Sequence, residues 1–263
     1  MKKVLTSVLA IFCFVSLSAL GVGIDISGSV NPVGYMNHTI TTVYKDGALS
    51  AELEDAFSAL GSGTLTVGDK KSKQVYNAYA LGLDLHISYF YMGLVVGLPS
   101  KQINEGLDIA KITTKKPVQS KIGGSVIVDG QFGGGITLLK GKPFNVFVGA
   151  GVTVNYIYFK RKMPEGFLLS GLKLTEYRHI MQGGVGVNVA LNYFFTKNIG
   201  VAFTMSDSVL FLRLMNQHYF AGTTATGRSV RYTLNKNGVS ARDNIKRQWA
   251  NNFTARLGVA LKL

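Results

Sequence analysis

The 263-residue sequence holds a single cysteine, five prolines and only 14 acidic residues against 28 basic ones. Cys13 sits inside an apolar run from Val4 to Leu20 that follows Lys2 and Lys3 and leads to small residues, with Ala19-Leu20-Gly21 as the cleavage site of an export signal. Removal of residues 1–21 takes the cysteine away, which excludes disulfides and thiol chemistry from residues 22–263. Phe12 stands where a lipoprotein anchor needs a small residue. Past the leader no apolar run approaches the ~18 residues of a membrane helix, although 47% of the chain is hydrophobic and its mean hydropathy is +0.22. The apolar content is spread by alternation instead. The prolines, at 32, 99, 117, 143 and 164, fall where that alternation stops, so they are expected to punctuate strands rather than sit in ladders. His38, His179 and His218 show no paired ligand spacing, so neither a metal nor any other cofactor is expected.

Period-two alternation marks eight strands. The last stretch shows it most clearly: Phe253, Ala255, Leu257, Val259, Leu261 and Leu263 alternate with Thr254, Arg256, Gly258 and Lys262. The same pattern begins at Val22 to Val30, Tyr79 to Ile87, Phe90 to Leu98, Val126 to Leu138, Phe144 to Tyr156, Val185 to Tyr193 and Ile199 to Met205. About ten residues with one apolar and one polar face is what a tilted strand needs to cross a bilayer. The reading is an all-β, transmembrane, antiparallel up-and-down β-barrel of eight strands filling residues 22–263. Ten strands remain an alternative, because Arg228 to Leu234 followed by Asn237-Gly238 forms either a hairpin above the membrane or an extra pair within it.

Short turns near 88, 141 and 197 alternate with long polar segments at about 36–74, 100–121, 160–177 and 212–249, the layout of a barrel with its long loops outside the cell. In the first loop Leu49, Leu53, Phe57 and Leu60 make one helical stripe, which predicts a short amphipathic helix capping the mouth. Trp249, Tyr156, Tyr158, Phe159, Tyr193, Phe194 and Phe195 fit aromatic girdles at strand ends. Eleven glycines, among them Gly82, Gly93, Gly133 and Gly151, fall on the inward face, as a narrow lumen demands. The inward ionisable groups are Asp25, Asp84, His86, Asp129, Arg256 and Lys262. Buried charges need partners, and strands one and eight become neighbours on closure, so Asp25 is expected to pair with Arg256. Asp84, His86 and Ser88 share a face, but residues two apart lie ~6.5–7 Å apart, too far for a nucleophile-to-base hydrogen bond. No catalytic residue is assigned.

The leader, the eight amphipathic strands, the three short turns and the amphipathic final strand resemble the small bacterial outer-membrane barrels of the OmpA transmembrane and OmpW type. Leu263 departs from the terminal aromatic of that pattern, which points to a less studied diderm, such as a spirochaete, as the source. The resemblance implies an outer-membrane location, contact with membrane lipid, and insertion by the barrel-assembly machinery through the C-terminal strand. It also implies a narrow, porin-like channel for small or hydrophobic solutes. The alternative is a plugged structural barrel or adhesin, with a lipid-modifying enzyme as a distant third.

Charge serves that alternative. The formal net charge of +14 includes Lys2 and Lys3, so +12 remains after export. Lys115, Lys116, Arg228, Arg231, Lys236, Arg242, Lys246 and Arg247 cluster in the predicted loops, where they would attract lipid headgroups, anionic polysaccharide or an acidic host ligand. Nucleic acid is not an expected partner, since export and a lipid-facing alternation have no place in a soluble nucleic-acid binder.

Overall fold

The computed structural model describes residues 26–44, 71–106, 114–139, 143–162, 173–224, 226–233 and 245–262. Those residues form ten strands and no helix. The strands are β1 (Ile26–Tyr44), β2 (Lys71–Ile87), β3 (Phe90–Gly106), β4 (Thr114–Lys121), β5 (Val126–Leu138), β6 (Phe144–Lys162), β7 (Lys173–Phe194), β8 (Ile199–Thr223), β9 (Ser229–Thr233) and β10 (Ile245–Lys262). Eight of them, in the order β1-β2-β3-β5-β6-β7-β8-β10, close into a ring because β10 pairs with both β8 and β1. Every pairing is antiparallel, and closure leaves the eight main strands no free edge over the paired registers. β4 adds to the upper part of β3 and β9 to the upper part of β8. The question of eight or ten strands is thus resolved: the stretch from Arg228 supplies a short strand beside β8, above the ring's lower portion, and not a further pair within it.

Alternation explains the ring. Outward positions of the lower strands carry large exposed apolar side chains, such as Leu81, Leu94, Val152, Val187 and Leu257, while their neighbours in sequence are buried inside. A closed barrel with an apolar outer band and a polar interior satisfies every backbone group within the ring and presents hydrocarbon to hydrocarbon, the solution for a membrane-spanning sheet. Three connections are short in sequence: Ser88-Tyr89, the five residues between β5 and β6, and residues 195–198. Ser88 and Leu139 take the left-handed conformation there, with φ of 53° and 60°. The end bearing these connections is called the turn end below, and the opposite one the loop end.

The strands run well past the expected limits. Residues 36–44, 71–74, 100–106, 173–177 and 212–223 belong to ring strands, and 114–121 to β4, rather than to loops. The prolines also depart from expectation. Pro32 lies within β1, Pro99 within β3 and Pro117 within β4, whereas Pro143 precedes β6. A strand tolerates proline where its ladder is broken, and it is broken at all three strand positions, Pro117 falling in the skip between Thr114 and Val118 of β4. Pairing of β1 with β10 skips from Val30 to Val33, and with β2 from Asn31 to Tyr35, so Pro32 is opposite no residue on either side. Its carbonyl instead accepts a hydrogen bond from the Tyr79 hydroxyl. Pro99 lies at the shift between Asn77 and Ala78 of β2. Pro164, the export signal of residues 1–21 and the helix expected over 48–60 lie outside the described residues.

Two girdle aromatics turn inward. Phe159 and Phe194 are buried in the lumen, while Tyr193, Phe195 and Trp249 stay exposed on the outer wall. Phe159 and Phe194 occupy the same pleat face as the lumenal residues Ile157 and Asn192, so alternation places them inside.

The lumen as candidate functional site

The lumen is filled in layers. Nearest the turn end, Phe194, Ala202 and Ala260 make a small apolar floor. Above it Tyr91, Phe147 and Ala190 form a second cluster, and the His86 ring stacks on Phe147 at 3.9 Å with 16° between planes. His86 is thereby a packing element, held by an aromatic face rather than beside Ser88, which sits in the turn. Glycines make room for these rings: a Cβ on Gly149 would lie 2.8 Å from Phe147 and 2.9 Å from Tyr91.

The third layer is polar and charged. Arg256 donates from Nη2 to Asp84 Oδ1 at 3.2 Å, and both side chains are almost wholly buried. Asp84 Oδ2 accepts further hydrogen bonds from Asn31 Nδ2 at 2.7 Å and Ser29 Oγ at 3.3 Å. The expected partner of Arg256 therefore changes. The register sets Gly34, not position 25, opposite Arg256, so Asp84 reaches it from β2 across β1. Asp25 itself lies outside the described residues. Gly82 lets this happen, since a Cβ there would collide with the Arg256 guanidinium. On the far wall Asp129 Oδ1 accepts from Thr153 and Asn155, both at 3.2 Å, and Gln131 donates to Ser208 at 2.7 Å. Ser206 and Thr254 hydroxyls lie 2.6 Å apart. The pairing of Asp129 with neutral partners, and of Asp84 with Arg256, is how a narrow barrel keeps charge inside at tolerable cost.

Above this layer most inward side chains are apolar, with His38 and Asn252 buried among them. Met36, Ile40, Tyr76, Ile127, Ile157, Phe159, Ile180 and Leu210 belong to one contiguous cluster drawn from β1, β2, β5, β6, β7 and β8. This collar surrounds the axis, since those strands lie on all sides of the ring. The sequence hid it because inward positions were expected to be polar throughout.

At the loop end a second set of charges closes the lumen. Glu176 accepts from Arg161, whose Nε and Nη2 lie 2.8 and 2.6 Å away, and its other oxygen lies 2.8 Å from His218 Nε2. Arg178 donates from Nη1 to Gln74 at 2.9 Å, and Gln102 donates to the Tyr76 hydroxyl at 3.0 Å. Burial pushes the Glu176 carboxyl up, but Arg161, the His218 hydrogen bond and Arg178 outweigh it and hold the group at about 2. Burial drives the His218 imidazole below its ordinary range despite the hydrogen bond to Glu176. The neutral ring then donates Nε2–H to a carboxylate. Nothing in the sequence marks Arg161, Glu176, Arg178 or His218 as a cluster, since Arg161 and Glu176 fall in the predicted 160–177 loop, Arg178 just past it and His218 in the predicted 212–249 loop.

The remaining sequence candidates scatter. Lys262 is half-buried at the turn end, and its backbone carbonyl is tied to the Asn198 side chain at 2.7 Å. Arg228, Arg231, Lys246 and Arg247 are exposed at the loop end, on or beside β9 and at the start of β10. Lys115 and Lys116 fall in β4, and Lys236 and Arg242 lie outside the described residues. Among the described residues no group of three or more His, Cys, Asp or Glu side chains is placed to hold a metal.

A family model described as "Domain of unknown function (DUF2715)" matches residues 33–263. The chain belongs to that family. No curated protein matches it in sequence. Among solved structures, the outer membrane protein OprG from Pseudomonas aeruginosa aligns over 91% of this chain and 95% of its own, with 10% identity and a TM-score of 0.46. A major outer membrane protein from Thermus thermophilus aligns over 88% and 99%, with 12% identity and a TM-score of 0.44. The outer membrane protease OmpT from Escherichia coli aligns over 91% and 97%, with 10% identity and a TM-score of 0.42. The likeness of this DUF2715 chain to these three is one of strand layout and carries no function across.

Proposed function

We propose that this protein is an outer-membrane barrel that takes small apolar solutes into its lumen and does not act as an aqueous pore. The observation that carries this reading is the apolar collar seated directly above the Asp84–Arg256 layer. Past the Arg161–Glu176–His218 charges at the loop end, a solute meets Met36, Ile127, Ile180 and Leu210. Below it the lumen is occupied by the paired charges, the hydroxyl pair and the ring stack, so water and ions have no continuous path. The interrupted pairing around Pro32 lies at the height of that layer and leaves a local gap in the ladder on both sides of β1. It supplies a sideways exit toward lipid when a solute arrives. Orientation follows the usual arrangement, with the turn end facing the periplasm.

The experiment compares uptake of the fluorophore N-phenylnaphthylamine by cells displaying the folded barrel with uptake by cells displaying an Ala80→Phe variant, whose added ring fills the collar. The wild type is expected to raise uptake over empty cells and the variant to abolish the increase. Swelling of proteoliposomes in the sugar arabinose tests the other half. Sugar entry through the wild type would overturn the reading, as would an unchanged rate in the variant.

A further inference from the structure

The outer wall holds a second feature, unconnected to the lumen. Outward side chains of β6, β7 and β8 above the apolar band form a continuous aromatic cluster around His179. Tyr156 Oη lies 2.8 Å from His179 Nδ1, and the Tyr158 ring is 5.2 Å from the imidazole. Tyr219 stacks on His179 at 6.0 Å and on Tyr177 at 5.1 Å, with 15° and 13° between planes. Cations border these rings. The Arg231 guanidinium sits 4.2 Å over Tyr219, and Lys160 Nζ lies 5.9 Å from the Tyr177 centroid. Among the described residues, no carboxylate faces outward on this stretch, since Glu176 points into the lumen and Asp207 lies lower on β8.

Height places the cluster. A strand tilted by about 40° climbs roughly 2.5 Å per residue, which puts Tyr158 about 35 Å above Phe144 at the turn end of β6. The hydrocarbon core is ~30 Å thick and the bilayer with headgroups ~40–45 Å. The last exposed apolar side chain of that row is Val154, and the rings begin two residues beyond it. The cluster therefore stands at headgroup level, where rings with one polar edge and cations without counter-charges meet phosphate. On β1 and β2 the outward positions near this height are the non-aromatic Asn37, Thr39, Asn77 and Val75, while β10 contributes a single exposed ring, Trp249, so the β6–β8 cluster is a local concentration.

The geometry points to a binding site for one anionic phospholipid headgroup on the β6–β8 wall, with Lys160 and Arg231 contacting the phosphate and the stacked tyrosines flanking it. The site needs the barrel to lie in a membrane but is independent of any solute passage. Two cations near an anionic lipid are together worth roughly 20- to 30-fold in affinity.

The test uses the refolded full chain in neutral detergent, titrated with phosphatidylglycerol or phosphatidylcholine and read by native mass spectrometry. Wild type is expected to retain phosphatidylglycerol preferentially, and a Lys160→Gln/Arg231→Gln variant to lose that preference by roughly 20-fold, on the same estimate of about 1 kcal/mol per cation. Lys197→Gln, at the turn end, serves as the charge control and should behave as wild type. Heat-shifted gel mobility reports that each variant is folded. Undiminished preference in the double variant would overturn the proposal. Displacement of the lipid by an equal concentration of soluble dextran sulfate would overturn it too, by showing a surface that takes soluble polyanions.

Discussion

Breaking the Asp84–Arg256 pair from either side gives unequal losses, and the inequality follows from the geometry. At 3.2 Å the two charges attract by about 5 kcal/mol at an effective dielectric near 20. Most of that offsets the cost of burying both groups, so the pair contributes little net, but a partner left alone is costly by ~3–5 kcal/mol. Arg256→Ala leaves Asp84 with donors from Asn31 and Ser29. Asp84→Ala leaves a guanidinium that cannot shed its charge. We expect Asp84→Ala to cost ~4 kcal/mol, Arg256→Ala ~2–3 kcal/mol, and Asp84→Leu/Arg256→Met less than either single change. Urea unfolding in lipid vesicles, followed by Trp249 fluorescence, measures all three. Equal single losses that simply add in the double variant would refute the pairing argument.

Three further outcomes are expected. Gly133 and Gly151 face each other across β5 and β6, and a Cβ on either would lie 2.5 Å from the other's Cα, so Gly133→Ala should lower stability by ~1–3 kcal/mol in the same unfolding assay. Acid should destabilise the loop end in two stages. Folded His218 is held below the ordinary 6.5, so the unfolded chain binds the extra proton and stability falls as pH drops through that region. Glu176, near 2 in the folded state against 4.5 ordinarily, then loses about 3 kcal/mol between those values; Glu176→Gln should flatten that lower limb of a stability–pH curve. Trp249, the sole tryptophan, is exposed well above the turn end of β10, so lipids brominated near the headgroup should quench it more than lipids brominated at the chain terminus.

The lower barrel was legible in the sequence because lipid outside and a crowded lumen inside impose opposite demands on neighbouring residues. Val187 and Asn188, or Leu257 and Arg256, declare their faces by hydropathy alone. Above the lipid that contrast ends. Lys160 and Arg161 are both basic, yet one borders the outer rings and the other is buried against Glu176. Hydropathy cannot separate them, so strands reaching residues 162 and 223 read as loop. Register was the second hidden quantity. Closure correctly brings the first and last strands together, but the ladder break at Pro32 and the tilt of the strands bring Asp84 to Arg256 from the next strand over. The apolar collar was missed for a related reason: Ile127, Ile157 and Ile180 continue the inward rows, where polar residues were expected.

The account rests on a lumen closed to water by its packed layers, and single-channel conductance of refolded residues 22–263 in planar bilayers tests it most directly. Folded wild type is expected to remain silent. Reproducible ohmic openings in the wild type would contradict a sealed lumen.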